Sequence, residues 1–310
     1  MLSGGTFGWV LFGTLVAGAL AVDLGIFHRK AHDITFRQAL IESSLWIALA
    51  LSFNLWVYVS RGREAGLSFL TSYLVEKSMS VDNIFVFVVI FQSIRLPPKW
   101  HHKVLFYGVL GALATRLIFI IAGVELMKKF HPVLFVFGGL LVLTGLRMLL
   151  PGRRVVQPEK NWMVRIARRI VPVADPYEGG NFWVRRQGRW NATPLFLALI
   201  AIEAMDILFA MDSVPAVLAI TRDFFIVYSS NAFAVLGLRA LYFLLADALP
   251  RLRFLHQGLA VIVIFVGGKM LATDWMPIST AVSLAVIAGV LALTATMSRA
   301  IPDARPKPAS

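Results

Sequence analysis

The chain has 310 residues, of which 58% are hydrophobic; it contains no cysteine and carries a formal net charge of +13. Soluble domains are about half apolar, so this composition excludes a soluble protein and predicts one transmembrane domain over residues 1–310. The lack of cysteine excludes disulfides, thiolate metal sites and thiol redox chemistry of the protein itself. Most lysines and arginines lie in connections and tails, where they set membrane orientation, so no nucleic-acid partner is expected.

Long apolar stretches recur along the chain, each about as long as the 20 or so residues that a helix needs to cross a bilayer. The first has no basic segment before it and no small-residue cleavage site after it, which indicates a retained span rather than a signal peptide. The predicted fold class is therefore an all-α membrane protein with about nine transmembrane helices. The predicted spans are about 7–27, 40–60, 68–91, 104–124, 131–150, 194–220, 225–247, 255–273 and 277–297.

The basic residues are distributed unequally between the two sides of this arrangement. By the positive-inside rule, the side that carries most of them is the cytoplasm. The N-terminus is then outside and the C-terminus is cytoplasmic. The basic side comprises the connections 28–39, 92–103, 151–193 and 250–254 together with the C-terminal tail.

The connection at 151–193 is the only sizeable segment predicted outside the membrane. Within it, Trp162, Ile166 and Ile170 recur at helical spacing against several arginines. This pattern is typical of a basic amphipathic helix on the membrane surface, and a solvated loop is the alternative.

Two groups of three spans form a weak internal repeat. Asp82 in VDNIFV and Asp206 in MDILFA are followed, at nearly equal intervals, by Arg116 and Arg239. Because each group has an odd number of spans, the second must run inverted through the membrane. Inverted repeats that meet at a site near the midplane are a transporter architecture. The predicted repeats are 61–150 and 194–275, with the basic connection between them.

Carboxylates are dense in one span of each repeat. An ionisable group at membrane depth costs a few kcal/mol or more, so by default it marks a functional site. Carboxylate, amide and hydroxyl oxygens suit a hard divalent cation such as Mn²⁺, Mg²⁺ or Ca²⁺. The predicted metal-site residues are Glu76, Asp82 and Asn83 in the third span and Glu203, Asp206, Asp212 and Ser213 in the sixth.

Helical geometry separates some of these carboxylates. Six residues turn a helix through about 240°, so Asp206 and Asp212 do not share a face, nor do Glu76 and Asp82. We therefore expect local unwinding near Asp82 and near Pro215, which would let the carboxylates converge and would free backbone carbonyls.

Three buried cations supply an alternative interpretation, in which the acidic residues form structural ion pairs. Arg116 and Arg239 together would neutralise Asp82 and Asp206, and Lys77 would pair with a carboxylate of a neighbouring helix. These cations would also balance the charge of an empty metal site.

Four segments of the sequence resemble the TerC family of bacterial integral membrane proteins. The resemblance implies a nine-span protein of the inner membrane, akin to the LysE superfamily of exporters and linked to manganese export and metal homeostasis. It implies roles for Glu76, Asp82, Glu203, Asp206 and Asp212. Met205 stands where many relatives have serine. The segments are LTSYLVEKSMSVDNIFVF (70–87), FYGVLGALATR (106–116), ATPLFLALIAIEAMDILFAMDSVPA (192–216) and NAFAVLGLRALYFLL (231–245).

We therefore expect a secondary transporter that exports a divalent ion, with Mn²⁺ favoured, and not an enzyme. Asp82, Asp206 and Asp212 would bind the ion, while Glu76 and Glu203 complete the shell or carry exchanged protons. The metal ion is a transported substrate, and no cofactor is expected. The lipid bilayer is the other expected partner. The sequence leaves the oligomeric state open. The alternative is a non-transporting membrane factor in redox or tellurite stress or in membrane-protein assembly. An oxyanion transporter would need converging cations instead.

Overall fold

A computed structural model describes residues 5–27, 35–94, 96–130, 132–150, 180–186, 189–245, 254–272, 274–276 and 278–300. Asp82 is described by its backbone, as part of a helix, and its side chain lies outside the described part of the chain. The amphipathic helix predicted at 162–170 also lies outside the described residues.

Helices form nearly all of the described chain, with one hairpin before the sixth helix. No strand is predicted there from the sequence. In the hairpin, Trp183 pairs with Ala192 in antiparallel register. The elements are α1 (Gly5–Phe27), α2 (Phe36–Arg61), α3 (Arg63–Ser93), α4 (His101–Lys129), α5 (Val133–Leu149), β1 (Trp183–Arg186), β2 (Arg189–Ala192), α6 (Pro194–Leu218), α7 (Phe224–Leu236), α8 (Leu238–Leu245), α9 (Leu255–Leu271) and α10 (Thr280–Ala300).

Five described helices are long and apolar enough to cross a membrane, namely α1, α2, α4, α6 and α10. The bent pair α7–α8 makes a sixth. This confirms an all-α membrane protein, whereas the count of nine spans stays a prediction. Helices α5 and α9 have 17 residues each, about 25 Å, which is short of a bilayer core of about 30 Å. Helix α3 has 31 residues but carries Glu64, Glu76 and Lys77 along its length.

The interior is built where α3, α4, α6 and α7 meet. Helix α3 packs against α2, α6 and α7, and α4 packs against α6 and α7. Val75 of α3, Val214 of α6 and Val227 of α7 belong to one buried apolar cluster with Ile120 of α4. Glu76 of α3, Arg116 of α4 and Asp206 of α6 are therefore held inside the helix bundle rather than facing lipid.

Helices α5 and α9 pack closely through glycines, as small residues allow in membranes. A Cβ added at Gly267 would lie 2.8 Å from the carbonyl oxygen of Gly138 and 2.8 Å from the amide nitrogen of Val142. A Cβ at Gly145 would lie 2.9 Å from the carbonyl oxygen of Ala260. These neighbours are backbone atoms, so the two helices could not stay at this separation with larger side chains.

The substitution Gly267→Ala is expected to destabilise the protein by about 1–3 kcal/mol, because the helices must move apart. Gly268→Ala is the matched control, since a Cβ there meets nothing within 4 Å. Both changes gain the same helix propensity, so the difference between them isolates the clash. Thermal unfolding in detergent measures it, and equal unfolding temperatures for the two variants would show that this contact does not set the packing.

Helices α3 and α6 are continuous, so the predicted unwinding near Asp82 and near Pro215 is wrong. Helix α3 continues through Asp82 to Ser93, and α6 continues through Pro215 to Leu218. Pro215 lies in the last turn of α6, where it removes one backbone hydrogen bond without interrupting the rest of the helix. The break lies instead at Gly237, where α7 and α8 meet at 41°.

Candidate functional site

Arg116 of α4 is the centre of a buried ionic cluster. Its side chain is 1% exposed. Nη1 donates to Oε2 of Glu76 at 2.5 Å, and Nη2 donates to Oδ1 of Asp206 at 3.1 Å. Nε donates to Oδ2 of Asp206 at 3.4 Å, so the guanidinium binds this carboxylate with two nitrogens. Arginine suits this position because its planar fork matches a carboxylate.

The cluster joins the two predicted repeats and carries excess negative charge. Glu76 comes from α3 and Asp206 from α6, and both are almost fully buried. Two carboxylates against one guanidinium leave a formal charge of −1. Water screens little here, so this charge attracts a cation more strongly than a surface pair would.

Two buried arginines form ion pairs in the described part of the chain. Arg116 binds Asp206, one of the two aspartates that it could neutralise, and also Glu76, whereas the side chain of Asp82 is not described. Arg239 binds Glu42 of α2, with Nη2 3.2 Å from Oε2, rather than Asp206. Both partners of this second pair are buried.

Two predicted ligands lie beside the cluster. Glu203 precedes Asp206 by about one turn of α6, and its carboxylate lies against Gly111 of α4, where a Cβ would collide with it. The hydroxyl of Ser213 lies 3.5 Å from Nη1 of Arg116. The glycine thus leaves space for a third carboxylate next to the ion pairs.

Asp212 lies on a different face of α6. It accepts a hydrogen bond of 3.3 Å from the hydroxyl of Thr144 on α5. The continuous helix keeps it about 240° from Asp206, as the six-residue spacing requires. Asn83 is buried on α3. Among the described residues, no group of three or more His, Asp or Glu is arranged to hold a metal ion. The predicted ligand set therefore stays a prediction.

Lys77 does not bind a carboxylate in the described part of the chain. Its Nζ donates to the carbonyl oxygen of Ala234 at 3.4 Å. A Cβ added at Gly237 would lie 2.6 Å from the same nitrogen. Lys77 thus occupies the C-terminal end of α7, where the helix dipole is negative and carbonyls lack helical partners. The break at Gly237 gives the ammonium room.

Glu42 and Thr144 are partners of the predicted residues Arg239 and Asp212 that sequence reasoning missed. Glu42 could have been found, because a buried arginine such as Arg239 needs an acidic partner and α2 carries one. Thr144 carried no such signal, since a threonine in an apolar helix usually bonds its own backbone.

The fold and the buried charges define a multi-pass integral membrane protein with an ionic centre in its core. The sequence model described as the integral membrane protein TerC family matches residues 61–305, and the chain belongs to this family. The chain is 49% identical to the uncharacterized membrane protein STKORF319 of Myxococcus xanthus over 283 residues, which are 91% of this chain and 89% of the relative. No solved structure matches it with significance.

Two further relatives extend over the same length. A protein of Escherichia coli K12, provisionally named the membrane-bound redox modulator Alx, is 43% identical over 295 residues, which are 92% of each chain. An uncharacterized membrane protein of Rickettsia bellii is 37% identical over 285 residues, which are 92% of this chain and 94% of the relative.

Proposed function

We propose that the protein is a secondary transporter that exports a divalent metal ion, with Mn²⁺ as the favoured substrate. The observation that carries the proposal is the cluster in which Arg116 holds one carboxylate from each repeat. An ionic centre of this kind, buried among apolar helices, is expensive to maintain and marks an ion pathway by default.

In this proposal Arg116 is the built-in counter-ion of the empty site. Its positive charge balances one of the two carboxylates while the site is empty. A divalent cation that enters the site would then interact with the carboxylate oxygens of Glu76 and Asp206. Glu203, one turn before Asp206 on α6, and Ser213, beside Arg116, would add oxygen ligands. Asp82 and Asp212 would become ligands of the ion only after α3 or α6 moves. Oxygen-only ligands match hard ions such as Mn²⁺.

The packing pattern supports an inverted pair of repeats. If α3, α4 and α5 correspond to α6, α7–α8 and α9, the contact of α3 with α7 corresponds to the contact of α4 with α6. Both contacts are present, and α5 packs on α9, its own counterpart. Alternating access would then come from rocking one three-helix unit against the other around the ionic centre.

The proposal also includes the membrane in which the protein lies and the direction of transport. The protein would lie in the inner membrane with its N-terminus outside and its C-terminus in the cytoplasm, because the basic connections fall on one side. Export rather than import is favoured by the resemblance of the acidic motifs to manganese exporters.

Uptake of ⁵⁴Mn²⁺ into inside-out vesicles tests the proposal. Wild-type vesicles are expected to accumulate the ion, whereas Asp82→Asn and Asp212→Asn are expected to slow uptake by about tenfold or more, equivalent to about 1.4 kcal/mol. Glu64→Gln is the matched control, since Glu64 is an exposed acidic residue in the first turn of α3. Wild-type rates in both Asp variants would refute the proposed site.

A non-transporting stress factor is the second candidate, favoured by the redox name of the Escherichia coli relative. The absence of cysteine means that thiol chemistry would have to come from a partner. This candidate predicts that deleting part of the 155–190 segment abolishes stress resistance, while neutralising the carboxylates has no effect. Growth under tellurite or oxidative stress distinguishes the two.

A further inference from the structure

The hairpin of β1 and β2 lies at the start of two membrane helices. It leads into α6, with only Thr193 between them. It also packs on the start of α4, where Nζ of Lys103 donates to the carbonyl oxygen of Gly180 at 2.7 Å. The rings of Tyr107 and Phe182 meet edge to face at 5.2 Å. Both α4 and α6 are long and apolar enough to cross a membrane, so the hairpin lies at one membrane surface.

Hydrogen bonds and close packing fix the base of the hairpin. Thr193 is buried, its hydroxyl donates to the carbonyl oxygen of Asn181 at 2.7 Å, and its amide nitrogen donates to that of Phe182 at 3.0 Å. Gly180 has a φ of 68° and lies against Trp100, where a Cβ would collide with the indole ring. The fold therefore determines how the hairpin is oriented on α4 and α6, and its exposed face is a preformed surface.

One face of the hairpin carries two tryptophans and an arginine. Side chains alternate between the faces of a strand, so Trp183 and Arg185 share a face. Arg185 is directly opposite Trp190 in the register, which places Trp190 on the same face. Trp183 and Trp190 are 41% and 64% exposed, and Arg185 is exposed as well. Among the described residues, none accepts a hydrogen bond from the Arg185 guanidinium. We call Trp183, Arg185 and Trp190 the hairpin face.

The contacts of the hairpin face give its depth in the membrane. The ring of Trp183 lies 4.6 Å from that of Phe196, which is in the first turn of α6, so Trp183 marks the edge of the apolar span. Arg185 is two residues farther along the strand, about 7 Å at most. The headgroup layer is about 5–8 Å thick on each side of a bilayer. The hairpin face therefore lies in this layer, where tryptophan is enriched.

The surface around the hairpin face is basic. The sequence contains no aspartate or glutamate in residues 94–124, which include the start of α4, or in residues 180–202, which include the hairpin and the start of α6. The two strands carry Arg185, Arg186 and Arg189. Basic residues at headgroup depth attract anionic lipids, and a planar guanidinium can bind two phosphate oxygens at once. A zwitterionic headgroup carries its own ammonium group, which competes for the same oxygens.

We propose that the hairpin face binds the phosphate of an anionic phospholipid from the surrounding bilayer. The Arg185 guanidinium donates hydrogen bonds to the phosphate oxygens. Trp183 and Trp190 lie along the glycerol region of the lipid, with an apolar ring and a polar N–H on each side chain. Because the hairpin is bonded to α4 and α6, the bound lipid holds the first turns of both helices at one depth. This surface is separate from the ionic cluster and does not rest on the proposed transport.

Native mass spectrometry of the full-length protein, with equimolar phosphatidylglycerol and phosphatidylcholine added in detergent, tests the proposal. The wild-type protein is expected to retain more phosphatidylglycerol than phosphatidylcholine. Arg185→Ala is expected to lower this ratio by about fivefold, equivalent to about 1 kcal/mol. Arg63→Ala is the matched control, because Arg63 is an exposed arginine at the opposite end of α3 from the start of α4, about 46 Å along the helix. It is expected to leave the ratio unchanged.

A second variant and a competitor complete the test. Trp190→Ala is expected to weaken retention of phosphatidylglycerol, and it replaces Arg185→Ala if that variant does not fold. Unchanged lipid retention in a folded variant of the hairpin face would overturn the proposal, as would an equal fall of the ratio in Arg63→Ala. Inorganic phosphate at millimolar concentration is expected not to displace the lipid. Displacement would show that the hairpin face binds free phosphate, which would also overturn the proposal.

Discussion

Replacing Arg116 with methionine is expected to lower the free energy of unfolding by about 3–5 kcal/mol, because two buried carboxylates lose their partner. Glu76 and Asp206 are 0% and 3% exposed by side chain, so water cannot substitute for the guanidinium. A loss of this size lowers the unfolding temperature by on the order of 10 °C. Thermal unfolding in detergent, followed by fluorescence or by retention of a monodisperse peak, measures the change.

The rescue experiment separates charge from packing. Adding Glu76→Gln and Asp206→Asn to the Arg116→Met variant removes all three charges, and replacing a whole buried ionic group is often nearly neutral for stability. The triple variant is therefore expected to be more stable than the single one. Arg116→Lys keeps the charge but loses the fork and is expected to fall between them. Wild-type stability of the single variant would contradict the central position of Arg116.

The substitution Asp206→Asn is expected to abolish transport while leaving the protein folded. It removes the excess negative charge, and Arg116 keeps Glu76 as a neutralising partner. If the excess charge attracts the metal ion, Mn²⁺ uptake should fall on the order of 100-fold, equivalent to about 2.8 kcal/mol. Uptake into proteoliposomes, normalised to folded protein, measures this.

Glu64→Gln is the matched control for this prediction. Glu64 is an exposed acidic residue in the first turn of α3, so this change also removes one carboxylate charge but does so outside the cluster. It is expected to leave uptake at the wild-type rate. A purely structural ion pair predicts the opposite pattern for Asp206→Asn, in which stability falls and the remaining folded molecules transport at the wild-type rate.

The positions of the helices could be predicted from the sequence, because apolar length determines them. Described helices lie at the predicted stretches, including α4 with Arg116 and α6 with Asp206. The prediction that Arg116 is a buried cation also holds. The close packing of Gly138, Gly145 and Gly267 follows from residue size alone.

Ion-pair partners could not be predicted, because they depend on how neighbouring helices are rotated and shifted. Positions 76 and 82 are separated by about 240° of helical rotation on α3, and only the structure shows that Glu76 binds Arg116 of α4. Arg239 of α8 binds Glu42 of α2, although the two residues are 197 positions apart in the sequence.

The positions of the helix breaks also could not be predicted from the local sequence. Pro215 predicts a break but lies within the last turn of α6, where the cost is small. Gly237 resembles a packing glycine and yet separates α7 from α8. The hairpin was not predicted, because residues 183–192 are rich in arginine and were assigned to the basic connection between the spans.

We propose that carboxylates of both α3 and α6 hold the transported cation. Anomalous scattering from crystals of the full-length protein soaked in Mn²⁺ tests this most directly. We expect a peak between these helices, about 2.0–2.6 Å from carboxylate oxygens of each, the range of oxygen bonds to hard cations. We also expect Asp206→Asn to remove the peak. A peak that contacts one helix only, or that survives Asp206→Asn, would show that the two helices do not share a cation site.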